Sequence, residues 1–453
     1  MIVMKFGGTS VGDATAIRRT VDIIAARRDR APVVVVSALG GATTELIATA
    51  SQAASGNLVA AIAQVEALRA RHLRVVAEVL GDGPEVTDLA AEESALFDEL
   101  AHLTEALSVL GHITPRSLDT FAAVGERASA PIVTAALERA GVSARHVDAR
   151  DVMITDASYG RAEPREELIA AAAREHVGAV LRDGAVPVLG GYIGATADGV
   201  TTTLGRGGSD FSAALFGAAL EADAIEIWTD VDGMLTADPR VVPDARLIEH
   251  IRFDEAAELA TFGAKVLHPS TIAPAVRRGI PVFIFNSHRP AGKGTRITFD
   301  APGSAVRAIA GKGNVVIVKV RSPRMLATPG ALRGIFEVFE RNKTSVDVVA
   351  TSEVSVSLTV DDDQHLDDVV AQLRVFGDVG IERDRGIVAL VGAGLGESSP
   401  TMARALAAVG DVRLHMLSLS ATGINLTLIV EAGEVSGIMR RLHAEFFPAG
   451  AAA

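Results

Sequence analysis

No cysteine occurs in the 453 residues, which excludes disulfides, thiolate metal sites and a cysteine nucleophile together. Positive charge is in short supply. Lysine and arginine total 43 against 56 acidic residues, and the net charge of -13 argues against nonspecific nucleic-acid binding. Apolar runs such as VVVV at 33–36 are far too short to cross a bilayer, so no membrane partner is expected. The opening MIVMKFGGTSVG has no basic segment leading an apolar one; no signal peptide is expected, and the cytoplasm is the expected compartment. A Walker-type phosphate loop is missing too. AGKGT (291–295) has Gly-Lys without a hydroxyl next to it, and Ser287 stands where the upstream glycine belongs.

What is present describes a globular protein: 49% hydrophobic and 22% charged residues, in a chain long enough for two or three domains. Through residue 300, short apolar runs alternate with helical segments: IVMKF (2–6), VVVVS (33–37), AVPVLGG (185–191), AIEIWTD (224–230) and IPVFIFN (280–286). Runs without polar alternation are buried on both faces, as in a parallel sheet covered by helices, whose ligands sit beyond the C-terminal strand ends. Residues 52–110 are rich in Ala, Leu and Glu and are expected to be a helical insertion. After residue 310 the pattern βαββα occurs twice, with VSLTV (356–360) echoing INLTL (424–428). The second copy lacks a last strand, so its sheet is expected to borrow one from the first copy or from a partner chain.

Chemistry-bearing motifs sit in the turns. KFGGTSVG (5–12) places Lys5 at the end of a strand, then a glycine turn with Thr9 and Ser10 expected to open a helix. Backbone N–H groups there favour phosphate oxygens and the lysine can offset phosphoryl charge; a plain capped βα turn gives the same pattern. SALGGATTEL (37–46) repeats that arrangement with hydroxyls suited to a small polar substrate. GERASA (125–130) is expected at a helix start, as an amine ligand or a solvated ion pair. In LGRGGSDFSAALFGAAL (204–220), glycines permit close backbone approach, Arg206 suits a carboxylate, and Ser209 or Asp210 is placed to cap the next helix. Asp210 cannot attract phosphate, so orienting lysines or a metal is its better use. WTDVDGMLTADPR (228–240) lacks calcium-loop spacing and fits a nucleotide-contacting loop or a plain turn. FGAKVLHP (262–269) adds Lys265 and His268; no metal-ligand set is expected. GAGLGE (392–397) only imitates a dinucleotide fingerprint, because Glu397 occupies the third glycine position.

In this order and spacing, KFGGTSV, GERASA, TTTLGRGGSD, WTDVDGMLTADPR and FGAKVLHP resemble the aspartate kinases of the amino acid kinase superfamily. Residues 310–447 resemble their paired regulatory ACT domains, closest to lysine-inhibited forms. The resemblance implies an α/β fold: a three-layer parallel-sheet amino acid kinase domain (1–300), then two ferredoxin-like βαββαβ ACT domains (301–385 and 386–453), which can interleave. It implies ATP-dependent phosphorylation of the side-chain carboxylate of L-aspartate, with Mg2+, at the first step toward lysine, threonine and methionine. Lys5, Asp210 and Lys265 are then the catalytic set. ATP falls to Lys5, Gly7, Gly8, Ser10, Thr229, Asp230, Leu235, Arg240, Lys265 and Val266, and aspartate to Ser37, Thr43, Glu126, Arg206, Gly207, Gly208 and Ser209. An amino-acid effector, lysine by resemblance, would meet Met325, Thr328, Gly330, Ala331, Leu332, Ser345, Val346, Asp347, Thr351, Ser352 and Glu353. A homodimer or dimer of dimers through the ACT domains is implied. Leu235 stands where some relatives carry a tyrosine, and Ala331 where lysine-sensitive ones carry a bulkier side chain. Two rivals remain: a kinase of a related carboxylate such as glutamate, and a catalytically inactive amino-acid sensor.

Overall fold

The computed structural model describes residues 1–262, 269–302, 304–322, 330–361 and 365–448, and contacts divide the chain into two units. In chain order the strands begin β1 (Ile2–Phe6), β2 (Pro32–Val36), β3 (Ala144–His146), β4 (Ile154–Thr155), β5 (Val186–Gly190), β6 (Ile193–Thr196), β7 (Thr201–Thr203) and β8 (Ala224–Thr229). They continue with β9 (His250–Arg252), β10 (Val282–Asn286) and β11 (Thr295–Thr298). The first unit comprises the described residues of Met1–Gly233 and Val266–Phe299. Its main sheet runs β3-β5-β2-β1-β8-β10-β11, parallel except for the β10–β11 pair.

The expectation of strands buried on both faces is met, because every residue of β1, β2 and β5 is buried. On one face Ile2, Met4 and Phe6 join a core shared with helices α1 (Ala14–Ala25), α2 (Ala42–Ala54), α3 (Leu58–Leu80), α4 (Pro84–Leu110) and α5 (Pro115–Arg139). α3 and α4 form the expected helical insertion, packed against each other. The turn after β1 departs from expectation. Gly8–Ser10 is a single 3₁₀ turn, and α1 starts only at Ala14, where the Asp13 carboxylate accepts from the Ala16 N–H at 2.8 Å.

One buried histidine makes the insertion acid-sensitive. His72 of α3 is 1% exposed, packs on Phe97 at 5.0 Å between ring centroids, and its Nδ1 bonds the Leu68 carbonyl at 2.8 Å. Burial lowers its pKa from 6.5 to about 4. A folded-state value below the unfolded one contributes stability above pH 6.5 that is lost as pH falls toward 4. Between neutrality and pH ~5 the loss amounts to about 2 kcal/mol. His72→Leu is expected to remove that part of the slope in urea titrations; an unchanged slope would refute it.

The second unit comprises the described residues of Met234–Lys265 and Asp300–Ala453. Its six-stranded sheet is made of β12 (Ala308–Arg321), β13 (Val349–Ser352), β14 (Ser355–Val360), β15 (Asp378–Val391), β16 (Met416–Leu419) and β17 (Asn425–Glu431), in the antiparallel order β13-β14-β12-β15-β17-β16. The two 14-residue strands each serve both repeats. Val315–Arg321 pairs within the first repeat, while Ala308–Lys312 runs against Ile387–Val391 and provides the strand the second repeat lacks. Separate cores sit on the two halves: Ile335, Phe339, Leu358 and Val369 in one, Leu390, Leu428, Ile438 and Leu442 in the other.

Candidate active site

Six parallel strands deliver their C-terminal ends to one side of the first unit, and turns at that side enclose a cavity of about 530 Å³. Lys5, Gly8, Ser37, Thr43, Glu126, Tyr192 and all of Gly205–Asp210 line it. Lys5 is the penultimate residue of β1, so the strand itself aims its ammonium; Nζ lies 2.7 Å from Asp210 Oδ1. Helix α6 (Gly208–Ala219) opens differently from expectation. Its cap is Gly207 in the left-handed conformation at φ 73, with no side-chain cap, so neither Ser209 nor Asp210 is spent on capping. Ser209 Oγ instead accepts from Ser37 Oγ at 3.0 Å, and Asp210 is free to hold Lys5.

Glu126 corrects a second expectation. GERASA lies in the middle of α5, whose start is set by a Thr114–Ser117 capping box with Pro115 next to the cap. Gly125 lets that helix pass close to the turn after β2, since a Cβ there would lie 2.6 Å from the Ala38 Cβ. The close passage leaves Glu126 3% exposed, with Oε2 lacking a hydrogen-bond partner among the described residues. Burial pushes its pKa up from 4.5 to about 8, against smaller lowering effects from the Ala38 and Glu126 N–H groups and the Lys5 charge. An unpaired buried carboxyl beside a substrate cavity suits an incoming ammonium group.

That arrangement has a pH signature. Only ionised Glu126 attracts an ammonium, so KM for the ammonium-bearing substrate is expected to fall about tenfold per pH unit up to pH ~8 and then level off. Initial rates from pH ~6 to ~8.5 check this, and a flat KM profile would exclude Glu126 as the amine ligand. The stability sign is opposite. A value raised above 4.5 favours folding at low pH and opposes it as pH rises through about 8, so Glu126→Gln is expected to raise the Tm of the free protein at pH 8.

Arg206 stands exposed at the cavity, with no hydrogen bond or ion pair among the described residues. Gly7 lies beside Lys5, the position of an added Cβ being 3.6 Å from Nζ. Ser10 is turned into the core, donating to Ser287 Oγ at 2.9 Å. Thr229 and Asp230 follow β8, and the Thr229 hydroxyl bonds the Asp230 carboxylate at 3.2 Å. Leu235 and Arg240 belong to the second unit; Leu235 bridges to Leu247, and exposed Arg240 pairs with Asp238 at 2.7 Å. Lys265, Val266, Met325 and Thr328 lie outside the described residues. Of the other expected effector residues, Gly330 caps α7 (Ala331–Arg341), Ala331 and Leu332 begin it, and Ser345 and Val346 precede β13. Asp347 is held by Lys312 at 3.0 Å, Thr351 and Ser352 end β13, the Ser352 hydroxyl meets that of Ser355 at 2.7 Å, and Glu353 is exposed. Sequence reasoning missed Gly160 and Tyr192 as cavity residues; for Tyr192, the signal available was an aromatic directly after Gly190-Gly191 at a strand end.

A covered parallel sheet with a lysine–aspartate pair, a glycine turn and a free arginine at its C-terminal edge defines a kinase of small carboxylates. The chain belongs to the amino acid kinase family, whose model matches residues 1–286. Within that family it is similar to Aspartokinase 1, chloroplastic, of Arabidopsis thaliana, 36% identical over 465 residues that cover 99% of this chain and 80% of the relative. It is also similar to lysine-sensitive aspartokinase 3 of Escherichia coli, 35% identical with 99% of both chains covered. The crystal structure of E. coli aspartokinase III with aspartate and ADP in the R-state superposes with a TM-score of 0.85, at 35% identity, covering 99% of this chain and 100% of that one.

Proposed function

We propose that this chain transfers the γ-phosphoryl group of ATP to the side-chain carboxylate of L-aspartate, giving 4-phospho-L-aspartate and ADP. The observation that carries the reading is the convergence of Lys5–Asp210, buried Glu126 and unpaired Arg206 on one cavity. Similarity to an aspartokinase solved with aspartate and ADP supports it. The substrate carboxylate is ionised at neutral pH and needs no general base. What needs offsetting is repulsion between it and the triphosphate, and a positioned cation serves that purpose. Asp210 fixes the Lys5 ammonium where charge develops, Arg206 grips a substrate carboxylate through two parallel hydrogen bonds, and Glu126 takes the α-ammonium. Lys265 would be a second cation, and Thr229, Asp230, Leu235, Arg240 and Val266 would meet the nucleotide.

Among the described residues no group of three His, Cys, Asp or Glu side chains is placed to hold a metal. In this reading Mg2+ would travel on the nucleotide phosphates. Residues 1–300 form the catalytic domain in this reading, with 301–385 and 386–453 as ACT domains that bind an amino acid, lysine first, and pair copies of the chain. No helix of the described residues is long and apolar enough to cross a membrane. Hydroxamate-trapped product, measured with aspartate and glutamate in competition, tests the assignment. Preference for glutamate, or no turnover of either, would overturn it.

A further inference from the structure

The turn that carries Arg206 is not self-supporting. Gly205 adopts φ +76, and a Cβ there would lie 3.2 Å from the Gly160 carbonyl, so the turn rests directly on the 157–161 loop. Tyr192, also left-handed at φ 65, closes the other side; a Cβ on Gly208 would lie 2.6 Å from its ring. The Tyr192 carbonyl accepts from Leu204 N at 2.9 Å. These three cavity segments share one anchor behind them. Asp119 of α5, 2% exposed, accepts from Gly160 N at 3.0 and 2.9 Å, from Thr203 N at 3.0 Å and from Thr203 Oγ1 at 2.7 Å. Thr203, next to Leu204 in the chain, is thus tied to Asp119 through both its N–H and its hydroxyl.

Helix geometry explains why this anchor serves the substrate site. Asp119 and Glu126 are seven residues apart on α5, two turns along one face. The same rigid helix thus delivers the carboxyl that meets an ammonium and the carboxylate that holds the turn presenting the guanidinium. The distance between the two substrate-gripping charges depends on Asp119.

We propose that Asp119 is a positioning residue for substrate recognition: through Gly160 and Thr203 it fixes the Arg206 turn and the Tyr192 ring relative to Glu126. It touches no substrate. The inference rests on the aspartate-kinase reading and names a residue that reading does not use.

The test is steady-state kinetics on the full chain, with melting temperatures as the parallel readout. Asp119→Ala is expected to raise KM for aspartate at least ~10-fold, with kcat within ~3-fold and KM for ATP within ~2-fold of wild type. Asp119→Asn can still accept from both N–H groups and donate to the Thr203 oxygen, so it is expected to restore KM for aspartate to within ~3-fold. Thr203→Val removes the hydroxyl link alone and is expected to raise KM for aspartate in the same direction. A folded Asp119→Ala with lowered Tm but KM for aspartate within ~2-fold of wild type would reduce Asp119 to a structural role and overturn the proposal. Should Asp119→Ala fail to fold, unchanged KM in Thr203→Val overturns it instead. Wild type is measured alongside. Absence of aspartate turnover there refutes the kinase reading itself, whereas an active wild type with indifferent variants refutes only the role of Asp119.

Discussion

Replacing Lys5 by methionine is expected to lower kcat at saturating aspartate by about 10³-fold. The side chain is buried at the end of β1 and reaches Asp210 at 2.7 Å, so methionine fills the same space and removes only the charge. Repulsion between a carboxylate nucleophile and the triphosphate then goes unopposed at that point, where removal of one preorganised group costs about 3–4 kcal/mol. Two side effects separate this from a folding defect. Asp210 is left as an unpaired, largely buried carboxylate, so Lys5→Met is expected to lower Tm and the double variant Lys5→Met/Asp210→Asn to recover it without recovering kcat. Loss of the Lys5 charge, which lowers the Glu126 pKa in the wild type, also moves the pH profile of KM upward. Retention of more than about a tenth of wild-type kcat in Lys5→Met would exclude the proposed role.

The second large effect is at Arg206, whose substitution by alanine is expected to raise KM for aspartate about 10²-fold with Tm unchanged. Stability is spared because the guanidinium is exposed and has no partner to abandon among the described residues. The loss is that of two charge-assisted hydrogen bonds, about 3 kcal/mol together. Lysine supplies the charge but not the planar fork, so Arg206→Lys is expected to recover less than about a tenth of the lost affinity. Equal KM values in Arg206→Lys and wild type would show that charge alone suffices and that the bidentate geometry is wrong.

Much of the sheet could be read directly because parallel strands buried on both faces appear as unbroken apolar runs; Ile2–Phe6 and Pro32–Val36 are such cases. The helical insertion was equally legible from composition. Helix boundaries were not. Gly125 and Pro131 look like breaks near a helix start, yet α5 runs through both, since close packing against Ala38 needs a glycine at that point. Asp119 carried only a weak signal, a charge on the apolar face of FAAVGERASAPIV, two turns before Glu126. Its three donors come from a loop 41 residues away and a strand 84 residues away, contacts that no local pattern encodes.

By itself, the sequence determined the local chemistry: which turns carry glycine, where a lysine ends a strand, which segments repeat, and that no thiol chemistry is available. These follow from steric and covalent properties of short stretches. Only the tertiary structure decided that Glu126 is buried with its Oε2 unbonded among the described residues and that Asp210 spends its charge on Lys5 instead of a helix cap. It alone showed that Ala308–Lys312 completes a sheet with Ile387–Val391, 75 or more residues downstream. The physical reason is common to all of them. Burial, desolvation and strand pairing are properties of neighbours in space, and here those neighbours come from turns and strands far apart in the chain.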